Sequence, residues 1–447
     1  MRFVRSSAAT AGLVVAALVL TAARPAAAQA TPRDVKVRKD KEAFKDSKDW
    51  FYNDLAEGVR RAKAEGKPVL VVFRCIPCEA CQEFDDDVAR RDPVIRDMLD
   101  RFVCVRIPQA NAIDLQHFQY DFDQSFAVVM MNPDYTVYGR FATRSDREEV
   151  EDISLKGMRK AMEGALKMHA NYEAVKPSLA GKQPRPTPYR TPLDYPSLAG
   201  RYTPTLNYEG QVAKSCVHCH QVGEAQRLIY RSEGKPVPDE VLYPYPDPEV
   251  LGLKMDPTET AKVEQVRAGS IAEKAGLRVG DSIATLAGQP LLSTADLQWV
   301  LHNTGPKADL PAKLERDGKT LDVTLRLDEG WRRGNISWRP TSWDLRRMAL
   351  GGLRLDDLTD AQRKETGLAT DVMALKVRHV GQYGAHAVAQ KAGFKVGDIL
   401  VAFDGKTGRL SESDLFALGV QKKRPGDQVA VTVLRGGKRQ TLKFTLQ

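Results

Sequence analysis

Long apolar runs, a strong excess of one charge and catalytic serine motifs are what this sequence lacks. Beyond residue 30 no stretch approaches the roughly 20 consecutive apolar residues that a membrane helix needs, so membrane association is not required. The formal charge is only +9 over 447 residues. Basic runs such as RRAKAEGK (60–67) and QKKR (421–424) are scattered and read as solvated faces, so no nucleic-acid partner is expected. No G-x-S-x-G or comparable serine motif occurs, which argues against a protease. Cysteine is scarce as well: of six residues, five sit in two tight clusters, Cys75/Cys78/Cys81 and Cys216/Cys219, with Cys104 alone. That spacing suits redox or ligand chemistry better than disulfide stapling.

What is present begins with Arg2 and Arg5, an apolar stretch from Ala8 to Leu20, and small residues closing at Ala30. These features describe a secretory signal peptide over residues 1–30 and place the mature chain in the periplasm or another extracytoplasmic space. The remaining length is too great for one core and predicts a modular chain of about three units.

Residues 31–172 read as an α/β domain. Phe44, Trp50, Phe51, Leu55, Val59 and Ala62 recur at helical intervals from Ala43 to Ala64. VLVVF (69–73) is too short for a helix and too apolar for a surface strand, and therefore predicts a buried parallel strand. EACQEFDDDVARR follows as a helix, FVCVRI (102–107) and FAVVMM (126–131) as strands, then a hairpin and a closing helix over 155–170. Residues 173–210, dense in proline, predict an extended linker. Residues 211–250 carry a C-x-x-C-H sequence. Residues 251–330 and 345–447 hold an internal repeat, AEKAGLRVGDSIATLAG (272–288) and AQKAGFKVGDILVAFDG (389–405), each leading to a hairpin and each mostly β.

The repeat resembles the PDZ domain of bacterial periplasmic proteins. That resemblance implies an extended peptide held by strand addition, with its C-terminal carboxylate on backbone N–H groups. The matching peptide-binding residues are Leu251, Gly252 and Leu253 in one copy and Gly351, Gly352 and Leu353 in the other. A packing or dimerisation module is the alternative reading.

The order KPVLVVF, then CEAC, then a helix is similar to thioredoxin-like proteins. The resemblance implies Cys78 as the exposed nucleophile at a helix N-terminus, Cys81 as the buried resolving thiol and Cys75 as an extra thiol able to exchange with Cys78. Pro77 stands where that family usually has Trp, and Glu79-Ala80 replace Gly-Pro within the motif. Phe126 stands where it has a cis-proline; that change either alters substrate docking or opens the site to a metal, with Cys75, Cys78 and Cys81 as candidate ligands. Cys104, between Val103 and Val105, reads as buried and inert.

CVHCH (216–220) fits the attachment sequence for c-type haem, with Cys216 and Cys219 forming thioethers and His220 binding the haem iron. A zinc site without an obvious fourth ligand and a plain disulfide are the alternatives. Met255 and His302 are sixth-ligand candidates. His218 reads as a solvated loop residue, and His117, His169, His379 and His386 carry no motif.

As a whole, the chain resembles bacterial thioredoxin/PDZ proteins, some of which carry selenocysteine. The fold class expected is multidomain, an α/β thioredoxin-like domain followed by two mostly-β PDZ-like domains. The function implied is an exported thiol-disulfide redox protein that docks a redox partner protein or peptide C-termini through its PDZ repeats and carries haem c. A non-catalytic scaffold and a haem c electron carrier are the other readings.

Overall fold

The computed structural model describes residues 30–447, so the signal peptide assigned to 1–30 falls almost wholly outside the described residues. The first unit is built on a five-stranded mixed sheet of order β1-β3-β2-β4-β5. Its strands are β1 (Trp50–Tyr52), β2 (Val69–Arg74), β3 (Val103–Ile107), β4 (Phe126–Met131) and β5 (Val137–Phe141). β1, β3 and β2 are parallel, while β4 and β5 run antiparallel. Every residue of β2 is buried, as its unbroken apolar run requires of a strand covered on both faces. Leu70 and Val72 enter one core with the helix Leu155–Ala170. Val69, Val71 and Phe73 enter another, on the face covered by the helix Leu55–Glu65. A Cβ on Gly58 of that helix would lie 2.4 Å from Val105 Cγ2, so the close approach to β3 depends on glycine.

Two local expectations are corrected. The helical periodicity from Ala43 to Ala64 is broken by β1, which pairs Trp50, Phe51 and Tyr52 with β3; a new helix starts after Asp54, whose side chain caps Glu57 N–H. Helix formation after the cysteine motif begins at Gln82, not at the motif itself, and Cys81 is the N-cap in a left-handed conformation (φ 57°).

Residues 173–210 run without long regular elements, yet they lie against the sheet. Leu179, Tyr195 and Leu198 are buried in its two cores, so the proline-rich stretch is a strap and not a free tether. The helix Cys219–Ser232 continues the same contact through Val222 and Ala225.

In the third region, β6 (Leu253–Met255) pairs with β7 (Val263–Val266), and β8 (Ser282–Leu286), β9 (Gln289–Pro290), β10 (Ala308–Arg316) and β11 (Lys319–Leu327) form a sheet of order β11-β10-β8-β9. The last unit has β12 (Leu353–Asp357), β13 (Leu375–Val380), β14 (Ile399–Phe403), β15 (Gln428–Arg435) and β16 (Lys438–Thr445) in sequential antiparallel order. The third region and the segment joining it to the last unit dock on the first through buried polar contacts. Lys182 Nζ donates to Asp296 Oδ2 at 2.7 Å, and Arg339 Nη1, between the two repeats, lies 2.9 Å from Asp121 and 3.0 Å from Asp123.

Candidate thiol site

Cys75 follows the last residue of β2, and the turn beyond it folds back, with Cys78 N–H donating to Cys75 O at 2.9 Å. Buried Arg74 ties this turn down, donating to Cys75 O (2.8 Å), Ser125 O (3.0 Å) and Cys78 O (2.9 Å). Its Nε meets Asp85 at 3.1 Å, and Asp85 also binds Arg106. The result is a close pair: Cys75 Sγ and Cys78 Sγ are 2.9 Å apart. Cys81 does not share that contact. Its N–H donates to Glu149 at 2.9 Å and its thiol is buried in the core beside Phe84.

The second motif reaches the same place. His218 caps the helix Cys219–Ser232, and its Nδ1 lies 3.3 Å from Cys75 Sγ. The three donor atoms of Cys75, Cys78 and His218 all lie within 4.8 Å of one another, a cluster that can hold a ligand. The expectation that His218 is a solvated loop residue is therefore corrected. Beside the pair is a cavity of about 260 Å³ whose walls include Cys75, Cys78, Cys219, His220, Asp123 and Pro340. Cys78 is the more exposed of the three motif cysteines.

Electrostatics separates the thiols. The hydrogen bond from Cys75 lowers the Cys78 pKa to about 4 against the opposing effect of burial, with His218 helping, while the same bond raises Cys75. Burial pushes Cys81 up to about 11, Cys104 to about 12, Cys216 to about 12 and Cys219 to about 11.

A c-type haem does not fit the residues as they are packed. Cys216 lies among Val37, Ile76, Leu206 and Val212. Cys219 lies in a different cluster, with Tyr120 Oη 3.6 Å from its sulfur. Both thiols are thus buried among packed side chains that a porphyrin would have to displace. The adjoining cavity, about 260 Å³, is smaller than the roughly 300–1,000 Å³ of pockets for drug-sized ligands. His220 Nδ1 is engaged by Glu224 at 2.9 Å, which leaves Nε2 as the nitrogen for ligation and does not bear on the fit. Met255 is core, and His302 is half-buried and stacked on Tyr245 with ring centroids 4.1 Å apart.

Phe126 is 1% exposed, packs edge-on against Phe84, and pairs with Arg74 across β2 and β4. Ser125, just before it, accepts Cys75 N–H at 2.8 Å and donates to Ala80 O at 2.6 Å, so this strand entrance still cradles the motif.

All six residues matched to peptide binding are buried; the copies differ in that elements flanking the first are packed on the first unit. Lys254 pairs with Glu151 at 3.1 Å, and Ser154 Oγ donates to Pro257 O at 2.8 Å. The helix Thr294–His302 lies under β5, with Trp299 Nε1 donating to Gly181 O at 2.8 Å and Arg140 stacked 3.6 Å over its ring. In the second copy, Gly351 and Gly352 have positive φ, and a Cβ on Gly352 would lie 2.0 Å from His386 O. Leu353 opens β12, one of the two edge strands of its sheet. The Leu355 N–H of β12 is donated to Glu412 at 2.7 Å, and buried Arg346 holds that carboxylate.

Neither Arg74 nor Glu412 carries a sequence signal, because each acts through partners distant in the chain. His218 had a weak one, its place inside a C-x-x-C pair.

Comparison with known proteins agrees with this architecture. A thioredoxin-like family profile matches residues 50–133, and a PDZ domain profile matches 249–327 and 374–446. A probable periplasmic DegP-like serine endoprotease of Pseudomonas savastanoi pv. phaseolicola is 30% identical over 205 residues, which is 44% of this chain and 39% of that protein. The periplasmic pH-dependent serine endoprotease DegQ of Escherichia coli is 39% identical over 76 residues, 17% of each chain. Among solved structures, the PDZ domain of EpsC from Vibrio cholerae aligns at 18% identity with a TM-score of 0.16, covering 21% of this chain and 93% of that one. The chain spans two fifths or less of these two curated relatives, and the likeness is to PDZ regions of periplasmic proteins at low identity. With sheet, repeats and profiles in accord, the chain is a thioredoxin-like α/β domain followed by two PDZ domains.

Proposed function

We propose that this is an extracytoplasmic thiol-disulfide redox protein whose reacting pair is Cys78 with Cys75. The observation that carries the reading is the 2.9 Å approach of the two sulfurs at the wall of a cavity. In the reductive direction, Cys78 thiolate attacks one sulfur of a partner disulfide and the other partner sulfur leaves as thiolate. Cys75, losing its proton, then attacks Cys78 Sγ and releases the second partner thiolate. Two electrons pass to the partner, and Cys75–Cys78 becomes the disulfide. Cys81, resolving thiol by resemblance, caps the following helix in this assignment. No step is routed through a haem. Export is supported by the signal-like residues 1–30 and by the periplasmic relatives.

PDZ domains suggest peptide binding. The second copy is the better candidate to hold a partner's C-terminal peptide, because the flanking elements of the first are packed on the thioredoxin-like domain.

The test is disulfide reduction with insulin, followed by trapping. Wild type reduces insulin and Cys78→Ser does not. Cys75→Ser accumulates mixed disulfides through Cys78, whereas Cys81→Ser does not. Equal activity in wild type and Cys78→Ser removes the enzymatic reading, and trapping by Cys81→Ser alone returns the resolving role to Cys81.

A further inference from the structure

We propose that Cys75 Sγ, Cys78 Sγ and His218 Nδ1 form a zinc site, assembled from two motifs some 140 residues apart in the chain. This ligand set is neither the three-cysteine group nor the C-x-x-C-H group suggested by sequence spacing. Each donor is fixed by its own backbone. Cys75 N–H is held by Ser125 O at 2.8 Å, Cys78 N–H by Cys75 O at 2.9 Å, and His218 N–H by Gln221 Oε1 at 2.9 Å. With the donor atoms already within 4.8 Å of one another, a cation needs only small side-chain rotations to be bound. Two thiolates and one imidazole are the soft donor set that selects zinc over magnesium or calcium. Three protein ligands beside a cavity of about 260 Å³ leave the fourth tetrahedral position to solvent or a partner thiol, the pattern of an open site and not of a closed structural one.

The metal and the disulfide are mutually exclusive, because both use Cys75 and Cys78. This consequence alone rests on the redox reading above. When a partner disulfide oxidises the pair, two electrons leave the two zinc-bound thiolates, the Cys75–Cys78 bond forms, the partner departs as two thiolates and the zinc ion is released.

The experiment uses the full mature chain, reduced, stripped with chelator and kept anaerobic. Cobalt(II) serves as the optical probe, and zinc affinity is read by displacement of cobalt. One cation per chain is expected, with thiolate-to-cobalt charge transfer. Cys75→Ser, Cys78→Ser and His218→Ala should each weaken binding by more than the roughly 10–100-fold typical of losing an outer-shell partner, while Cys104→Ala binds as wild type. Alkylation of the zinc-loaded wild type, mapped by peptide mass, should show Cys75 and Cys78 protected; this arm needs no variant to fold. Absence of cation binding, or protection of Cys216 and Cys219 instead, overturns the site. Insulin reduction with no zinc bound would sink the metal site and leave the redox reading standing, and the converse result would do the opposite.

Discussion

Replacing Lys182 with methionine should unfasten the first PDZ domain from the thioredoxin-like sheet. Lys182 and Asp296 are each 1% exposed, with Nζ 2.7 Å from Oδ2 and 2.8 Å from Tyr138 O. Methionine keeps the stem's volume and removes the cation. Breaking a buried pair costs about 3–5 kcal/mol because one charge is left uncompensated. Asp296 would still accept Arg140 N–H at 3.0 Å and Leu292 N–H at 2.9 Å, so the lower end, about 3 kcal/mol or some two orders of magnitude in the docking equilibrium, is expected. Asp296→Asn strands the ammonium instead. Burial already lowers the Lys182 pKa against the pull of Asp296. A folded pKa below the unfolded value of about 10.4 means that the unfolded chain binds more protons between the two, so stability rises with pH across that window. Loss of Asp296 widens the window downward, and the variant should recover stability at alkaline pH more than wild type does. Urea denaturation followed by circular dichroism, with limited proteolysis at residues 173–185 to locate the opening, measures both effects. The double variant should lose less than the sum of the singles. Strict additivity, or a Lys182→Met cost below about 1 kcal/mol, would refute the ion pair as the fastener.

Three further outcomes test other parts of the structure. Gly58→Ala places a Cβ against Val105 Cγ2 and should cost about 1–3 kcal/mol by overpacking, read as a lowered melting temperature. Glu412→Ala removes the acceptor of the Leu355 N–H and the carboxylate that holds Arg346; fluorescence anisotropy with a peptide ending in an apolar residue should show tighter binding to the second PDZ domain, together with a lower urea midpoint. Expression with a c-type haem maturation system should yield a protein with no covalent haem band, because Cys216 and Cys219 are both buried among packed side chains. A sharp α band that survives acid-acetone extraction would show that this packing yields.

Much of the architecture was legible because it rests on short-range patterns. The unbroken apolar run of β2 announces a strand covered on both faces, and the repeat at 272–288 and 389–405 announces two copies of one fold. The helix begins later than EACQEFDDDVARR suggests because the residue pattern does not register the turn that Arg74 imposes by gripping the Cys75 and Cys78 carbonyls. The helical periodicity across Trp50 was likewise overridden by pairing with β3, a contact made more than fifty residues away. His218 was beyond reach for a similar reason: its partner Cys75 lies 143 residues earlier. The peptide-binding stretches were found as sequence, but what covers the first of them is a surface of another domain, which no local pattern encodes.

The position of C-x-x-C-H follows from how the thioredoxin-like unit completes its second face. That core takes Tyr195, Leu198, Val217 and Val222 from beyond residue 172, each at most 3% exposed. At about 1.5–3 kcal/mol for each large apolar side chain fully buried, these four supply about 6–12 kcal/mol before the entropy of ordering them, an upper figure because the unfolded chain is itself partly collapsed. The whole stability of a domain is about 5–15 kcal/mol. A cut at 172 would therefore remove a share of burial comparable to the margin on which the sheet stands. The segment that carries Cys216, His218 and Cys219 is bound into the same core as β2, and this binding is what sets His218 against Cys75. Any chemistry at Cys75 and Cys78, whether disulfide exchange or metal binding, is then supported by a wall that belongs to the fold and not by a neighbouring module at the end of a tether.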